Sequence, residues 1–330
     1  MFLAFVSSVL FLCLLGCDSR NPDRIRIAIG GQAQLIYLPT TLARELGFYR
    51  EEGLEVELQD FQGGAKALQA AVGGSAEVVS GFYDHTIQMA AEGKAYVAFV
   101  TMTRFPGLVL VTSPKDSDQV TKVEDLRGRV AGVTTAGSSS QMLLTYLLHR
   151  HGVPPDSVSV TSIGSAATAI AAMEHGTVAA GMMADPAYTL LARRNAGVRV
   201  LADLRTSDGV RDAFGTSSYP GAVIYAGADW IDAHRGTAAR LARAIVRTLR
   251  WMQSHQPAEI AAKSPKEFRG DDDALYVESI RHSMAMFSPD GAMAADGAEA
   301  VQALLAESVE KMRGARIDLS RTYTNDFVRQ

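Results

Sequence analysis

Residues 30–58 read GGQAQLIYLPTTLARELGFYREEGLEVEL, and together with the residues just before them they spell out one βαβ unit. Ile25, Ile27 and Ile29 alternate with Arg24, Arg26 and Ala28, so a strand runs into the Gly30-Gly31 turn. Leu38, Leu42 and Leu46 then recur at helical spacing. Pro39 stands near the helix start, where its missing N–H costs nothing. Gly47 and Gly53 supply two stops, one on each side of the short aromatic turn Phe48-Tyr49-Arg50-Glu51-Glu52. Leu54, Val56 and Leu58 alternate with Glu55 and Glu57, and a second strand begins. A crossover of this kind predicts a parallel pair, with the loop after the first strand facing a crevice.

The same unit recurs along the chain. A helix opens at Gly63-Gly64 and carries Leu68, Ala71 and Val72; a short strand over 77–79 ends at Ser80-Gly81; Asp84 is placed to cap a helix through Ala91. Strands are predicted over 96–102 and 108–112, and a polar connector covers 113–122. A second series follows: strand 130–133, small-residue loop 134–140, helix 141–151, strand 158–163, a helix to His175, strand 178–183, a helix started by Pro186, and strand 198–204. Residues 205–218 show no periodicity and read as a surface loop, after which a strand over 221–226 returns to the first lobe. The remainder is helical, with Leu241, Ile245, Leu249 and Met252 forming an amphipathic stripe. The expected architecture is α/β with two lobes, each a mostly parallel sheet flanked by helices. Residues 24–112 and 219–330 form the first lobe and 113–218 the second, with a hinge near Thr112 and Tyr219.

At 330 residues the chain is long enough for two cores. Apolar residues at 47% and charged residues at 21% suit an ordinary globular composition, and a net charge of −4 gives no basic footprint for nucleic acid. The apolar run over residues 1–16 is too short to span a bilayer. Leu14-Leu15-Gly16-Cys17 resembles a bacterial lipoprotein cleavage box. It predicts a signal peptide over 1–17, acylation of Cys17 and a polar tether over 18–23, although the first eight residues lack the usual Lys or Arg. Asp18 resembles the residue that keeps lipoproteins on the inner membrane. Cys13 and Cys17 are the only cysteines. The mature chain is therefore expected to have no disulfide, no thiol nucleophile and no cysteine-based metal site.

The pattern Q-x-x-Y-x-P-x-x-L-A-x-x-x-G-F-Y-x-x-E-G-L-x-V over residues 34–56 resembles the opening of solute-binding proteins that feed nitrate/sulfonate/taurine-type ABC importers. The order of features continues through Phe61-Gln62-Gly63-Gly64, Asp125-Leu126-Arg127-Gly128, Gly137-Ser138-Ser139-Ser140 and Asp318-Leu319-Ser320. The resemblance implies a type II periplasmic binding protein fold that closes on a small, often anionic solute, and no enzymatic chemistry. It also implies an ABC permease with its cytoplasmic ATPase as partner and a place on the periplasmic face of the inner membrane. No cofactor or metal is expected, and the protein is expected to act as a monomer. Enzymes of thiamine-pyrimidine synthesis resemble the same fold and form the rival reading, but they carry a cysteine-rich motif absent here. A pyrimidine-precursor binder and a periplasmic sensor subunit are further alternatives.

Binding chemistry is expected in loops at strand C-terminal ends, where helix N-termini offer unpaired N–H groups. These loops hold Gln32, Gln34 and Tyr37; Gly63 and Gly64; Ser80, Gly81, Tyr83 and Asp84; Ser138 and Ser139; and Gly164 and Ser165. The N–H groups around Ser138 and Ser139 are expected to hold an anionic group of the ligand, and the lack of an evident Arg or Lys in these loops argues against a polyanion and leaves a monoanion or a neutral solute. Asp185 either contacts ligand or caps the helix after Pro186, and Tyr219 and Phe82 are candidate walls. His85 reads as part of a capped helix start, and His149 and His151, two apart on a helix, make a poor metal pair. Asp271-Asp272-Asp273 suits a helix N-terminus but lacks the spaced ligands of a calcium loop.

Overall fold

The computed structural model describes residues 23–329. The expected signal peptide, Cys17 and most of the expected tether lie outside the described residues.

The opening unit forms as its pattern predicts. β1 (Asp23–Ile29) leads through a 3-10 turn (Leu35–Tyr37) to α1 (Leu38–Glu45), α2 (Phe48–Glu51) and β2 (Leu54–Asp60). β1 and β2 pair in parallel from Asp23 opposite Leu54 to Ile29 opposite Asp60. Gly47 and Gly53 take positive φ, 79° and 70°, which a side chain would oppose. The first lobe continues with α3 (Gly64–Val72), β3 (Val78–Phe82), α4 (Asp84–Ala91) and β4 (Tyr96–Thr101).

The second series is β5 (Leu108–Thr112), β6 (Val130–Val133), α5 (Ser139–Arg150), β7 (Ser159–Ser162), α6 (Ala166–His175), β8 (Ala180–Ala184), α7 (Ala187–Arg194), β9 (Val200–Asp203) and α8 (Ser207–Phe214). β10 (Ala222–Gly227) precedes six helices: α9 (Ala228–Ala233), α10 (Arg235–Ser254), α11 (Pro257–Lys263), α12 (Lys266–Arg269), α13 (Asp273–Ser283) and α14 (Ala295–Ser308).

The strands form two five-stranded sheets, β2-β1-β3-β10-β4 and β7-β6-β8-β5-β9. Each sheet is mixed. β2, β1 and β3 pair in parallel while β10 lies antiparallel between β3 and β4, and β5 takes the same inserted place between β8 and β9. Four strands in each sheet thus point one way, and only the inserted strand runs against them. β3 and β8 are buried along their whole length, as expected of interior strands covered on both faces.

Three sequence expectations change. β5 belongs to the second sheet, because its backbone pairs with β8 and β9; the lobe boundary after Thr112 therefore moves ahead of Leu108. The chain crosses at residues 103–107 and again at 215–221, and the two crossings bond to each other through Tyr219 N to Arg104 O at 3.1 Å and Gly221 N to Thr103 O at 3.0 Å. Residues 205–218 are not a plain surface loop. Thr206 caps α8 by accepting from Gly209 N, and Val210 seats the helix in the core. Finally, not all of the C-terminal helices stay with the first lobe: α10 packs on α1, α2 and β4, but α14 packs on both α4 and α5, and α13 on α7.

Candidate functional site

The C-terminal ends of β1, β2 and β3 face those of β6, β7 and β8 across a crevice. Three contacts draw the lobes together there. Leu35 N donates to Asp185 O at 2.8 Å. The Ser139 hydroxyl donates to Asp84 Oδ1, also at 2.8 Å. Thr135 packs on Gly63 so closely that a Cβ at Gly63 would lie 2.4 Å from its Oγ1. Between these contacts is a chamber of about 20 Å³ lined by Gly30, Gln34, Ile36, Tyr37, Gly64, Phe82, Leu108, Thr134, Ser138, Ser139 and Ser140. That volume suits about one water molecule, so a larger solute enters only when the lobes part. A wider mouth of about 440 Å³ lies outside it, between α3 and residues 134–136 and 162–168.

Asp84 is the centre of the site's electrostatics. It is the first residue of α4 rather than its cap, 1% exposed, and Oδ2 of its carboxylate has no hydrogen-bond partner. His85 Nε2 lies 3.9 Å from Asp84 Oδ1 and is also unpartnered, while Nδ1 meets the Tyr225 hydroxyl at 3.2 Å. The Tyr219 hydroxyl and Thr135 Oγ1 are buried without partners as well. Unpartnered buried polar atoms are costly and need a reason; four of them gather around this crevice. Burial raises the Asp84 pKa against the opposing pull of His85 and the Ser139 hydrogen bond. Burial lowers that of His85, with Asp84 opposing. Desolvation, with the Asp84 charge adding to it, raises the hydroxyl pKa values of Tyr37 and Tyr219, so both remain donors.

Asp185 does two things. Its Oδ1 accepts from Thr189 N at 3.2 Å and Thr189 Oγ1 at 2.6 Å, capping the first turn of α7, while Oδ2 accepts from Arg205 at 2.9 Å and Ser283 at 3.2 Å. Arg205 also forks onto Asp203 and lies over the Tyr188 ring. Its guanidinium is held further toward the charged form by these two carboxylates, against desolvation, which is the largest influence and acts the other way.

Of the residues singled out from sequence, Gln34, Tyr37, Gly64, Ser138 and Ser139 line the chamber, and Asp84 and Tyr219 adjoin it. Gly63 lies at the lobe contact, Gly164 lines the outer mouth, and Ser165 approaches Gly31 across the crevice. Others make contacts within their own lobe. Gln32 turns its amide to Thr41, Ser80 bonds Thr40, Gly81 packs against Tyr225, and the Tyr83 hydroxyl bonds Thr322. The Ser138 hydroxyl is held by Thr134, Ser140 and the Thr135 carbonyl. The place expected for a ligand anion, beside Ser139 at the start of α5, holds the protein's own Asp84 carboxylate. Sequence reading missed Leu108, Thr134, Thr135, Tyr225 and Arg205, held Ile36 and Ser140 only as members of candidate loops, and read His85 only as a helix start. The loop over 134–140 did signal Thr134 and Ser140; nothing local signals Tyr225 or Arg205, which long-range pairing brings in.

The family model described as NMT1/THI5 like matches residues 36–260. A solved structure from Bordetella bronchiseptica RB50 is 37% identical, with a TM-score of 0.89 over 93% of this chain and 96% of that one. The alkanesulfonate-binding protein SsuA from Xanthomonas axonopodis pv. citri, bound to MOPS, is 18% identical, with a TM-score of 0.73 over 93% and 99%. The periplasmic nitrate-binding protein NrtA from Synechocystis PCC 6803 is 15% identical, with a TM-score of 0.71 over 93% and 87%. At these identities the last two show a shared periplasmic binding protein fold.

Proposed function

The chain belongs to the NMT1/THI5-like family, and from that premise we propose that it is the extracytoplasmic solute-binding subunit of an ABC importer. It captures a small solute between its lobes and presents the closed form to a permease. The observation that carries this reading is the gathering of unpartnered buried polar atoms, Asp84 Oδ2, His85 Nε2 and the Tyr219 hydroxyl, at an interlobe crevice. Polar groups so placed are satisfied by a solute that arrives with the right partners. Binding then shifts an open–closed equilibrium in favour of the form that Ser139–Asp84 and Leu35–Asp185 stabilise.

The neighbours that bind alkanesulfonate and nitrate support the transport role. The reading includes no enzymatic step and no cofactor. The subunit acts as a monomer, anchored through lipid on Cys17 at the periplasmic face of the inner membrane. Gln34, Tyr37, Gly64, Asp84, Ser139 and Tyr219 form the binding surface, with Gly63, Gly164, Ser165 and Asp185 acting in closure.

Small-angle scattering of the purified protein tests the clamp. A solute that raises the melting temperature should also reduce the radius of gyration, since a solute at 100 times its dissociation constant adds about 2.7 kcal/mol to the state it binds. An unchanged radius at saturation would remove the clamp and leave a rigid pocket.

A further inference from the structure

We propose that the solute carries a cationic nitrogen group (amidinium, guanidinium or ammonium) held on the Asp84 carboxylate. This rests on the solute-binding reading above and names the chemistry of the same site. Asp84 is 1% exposed; Ser139 satisfies one of its oxygens and nothing satisfies the other. The groups that face it are all poor counter-charges. His85 is driven toward its neutral form by burial, and Tyr37, Tyr219 and Tyr225 are hydroxyls whose pKa values burial raises further. No Lys or Arg lines the chamber among the described residues. Arg205, the one buried arginine among the described residues, is committed to Asp185 and Asp203.

A buried carboxylate without a cation is the costliest kind of polar group to leave alone. A cationic nitrogen supplies the missing charge and the missing N–H together. Tyr37 and Phe82 also line the chamber, and aromatic side chains favour a cation over an anion where a ring face is offered. An oxyanion would instead meet a like charge. The serine hydroxyls at the start of α5 offer it little, because Ser138 and Ser140 bond within their own loop and Ser139 bonds Asp84.

The two alternatives differ in the direction of proton flow. Burial holds the Asp84 pKa above its ordinary value, so binding a cation must favour the ionised form and release any proton held there. Binding an oxyanion must favour the protonated form and take a proton up.

The test is titration calorimetry of the full-length protein in buffers of different ionisation enthalpy. The probes are benzamidinium, methylguanidinium and ethanolammonium, set against nitrate, ethanesulfonate, benzoate and neutral benzamide. The expected result is binding by at least one cation, with no proton uptake and with affinity that does not fall as pH rises. Asp84→Asn should weaken that binding about 30-fold or more. The proton balance is read on the unsubstituted protein, so it stands even if the variant folds poorly. Binding by an anion or by benzamide but by no cation overturns the cation assignment and leaves solute capture intact, as does cation binding that Asp84→Asn leaves unchanged. Heat from none of the seven probes counts against the cation assignment, and stabilisation by no solute at all counts against solute capture itself.

Discussion

The Ser139 hydroxyl, at the start of α5 in one lobe, donates to the Asp84 carboxylate at the start of α4 in the other, at 2.8 Å. Two helices thus begin on either side of the crevice and meet at one carboxyl group. A carboxylate near a helix N-terminus is favoured by the unsatisfied N–H groups and the dipole there. The contact is therefore both a closure bond and the reason an external anion finds this position taken.

Asp84→Asn should reverse part of the pH dependence of stability. The folded pKa of Asp84 lies above its ordinary value of 3.8, so folding takes up a proton between the two values. This group's contribution is present at low pH and lost as pH rises through that window. His85 runs the other way. Its folded value lies below 6.5, so its contribution is complete above 6.5 and is lost as pH falls from there. Asn removes only the first effect, and the melting temperature of the variant should gain on the unsubstituted protein as pH rises from about 4 to 7. A constant gap across that range would mean that Asp84 has no raised pKa.

Arg205→Ala should be strongly destabilising. The Arg205 side chain is 11% exposed and bonds Asp185, itself 2% exposed. Removing the cation leaves a buried carboxylate with only hydroxyl and amide partners, which costs about 3–5 kcal/mol. Pairing the change with Asp185→Asn should recover much of that loss. Urea unfolding of the single and double variants reads both numbers; a loss below about 1 kcal/mol would place this pair with exposed ones.

Gly63→Ala should act on closure and spare the fold. Gly63 has φ of 169°, an extended backbone that any residue adopts, so alanine brings no strain within its own lobe. Its methyl would meet Thr135 Oγ1 at 2.4 Å across the crevice, and one lobe must retreat. The expected outcome is a larger radius of gyration and a lower solute affinity with little change in melting temperature. Thr135→Ala in the same chain should restore closure.

Cys17→Ser should release the protein from membranes without unfolding it, because the lipid proposed on this residue would lie in a tether ahead of β1. A variant that stays in the membrane pellet after a carbonate wash would count against lipidation.

Much of this architecture was legible because residues 24–58 carry strong, mutually consistent signals. Alternating isoleucines, a proline at a helix start and two glycines at positive φ each have one structural meaning. The sheet to which β5 belongs was not legible, since the run Leu108–Thr112 states that a strand forms but not which partner it finds. α8 was missed because only Val210 of its eight residues is buried, too little for a periodic stripe. The site was legible as a set of loops, and Tyr37, Gly64, Asp84 and Ser139 do converge. What could not be read was which of them bond to each other. Asp84 and Ser139 are 55 residues apart, and only the folded crevice makes the acid, rather than a ligand, the partner of the serine. Arg205 escaped notice for the same reason, lying in an aperiodic stretch with its partner Asp185 20 residues away.

Ser139→Asp separates a site built around the protein's own carboxylate from one built for an external anion. In isolation the substitution should help, because a negative charge in the first turn of a helix is worth about 0.3–1 kcal/mol. Beside Asp84 it must do the opposite. The hydroxyl it replaces lies 2.8 Å from Asp84 Oδ1, so the two carboxylates would stand close together. Two like charges 4 Å apart repel by about 4 kcal/mol at an effective dielectric of 20. Repulsion exceeds the dipole gain, and the lobes should part at neutral pH, with a larger radius of gyration and a lower melting temperature. Acidification should close them again, because two adjacent carboxyls can share one proton and one charge. Ser139→Ala is the control: it loses the hydrogen bond to a charged group, worth about 1.5–3 kcal/mol, and its scattering should not recover on acidification. If Ser139→Asp instead matches or exceeds the unsubstituted protein in stability at neutral pH, Asp84 does not carry its charge against α5, and the start of that helix returns to being a place for an anionic solute.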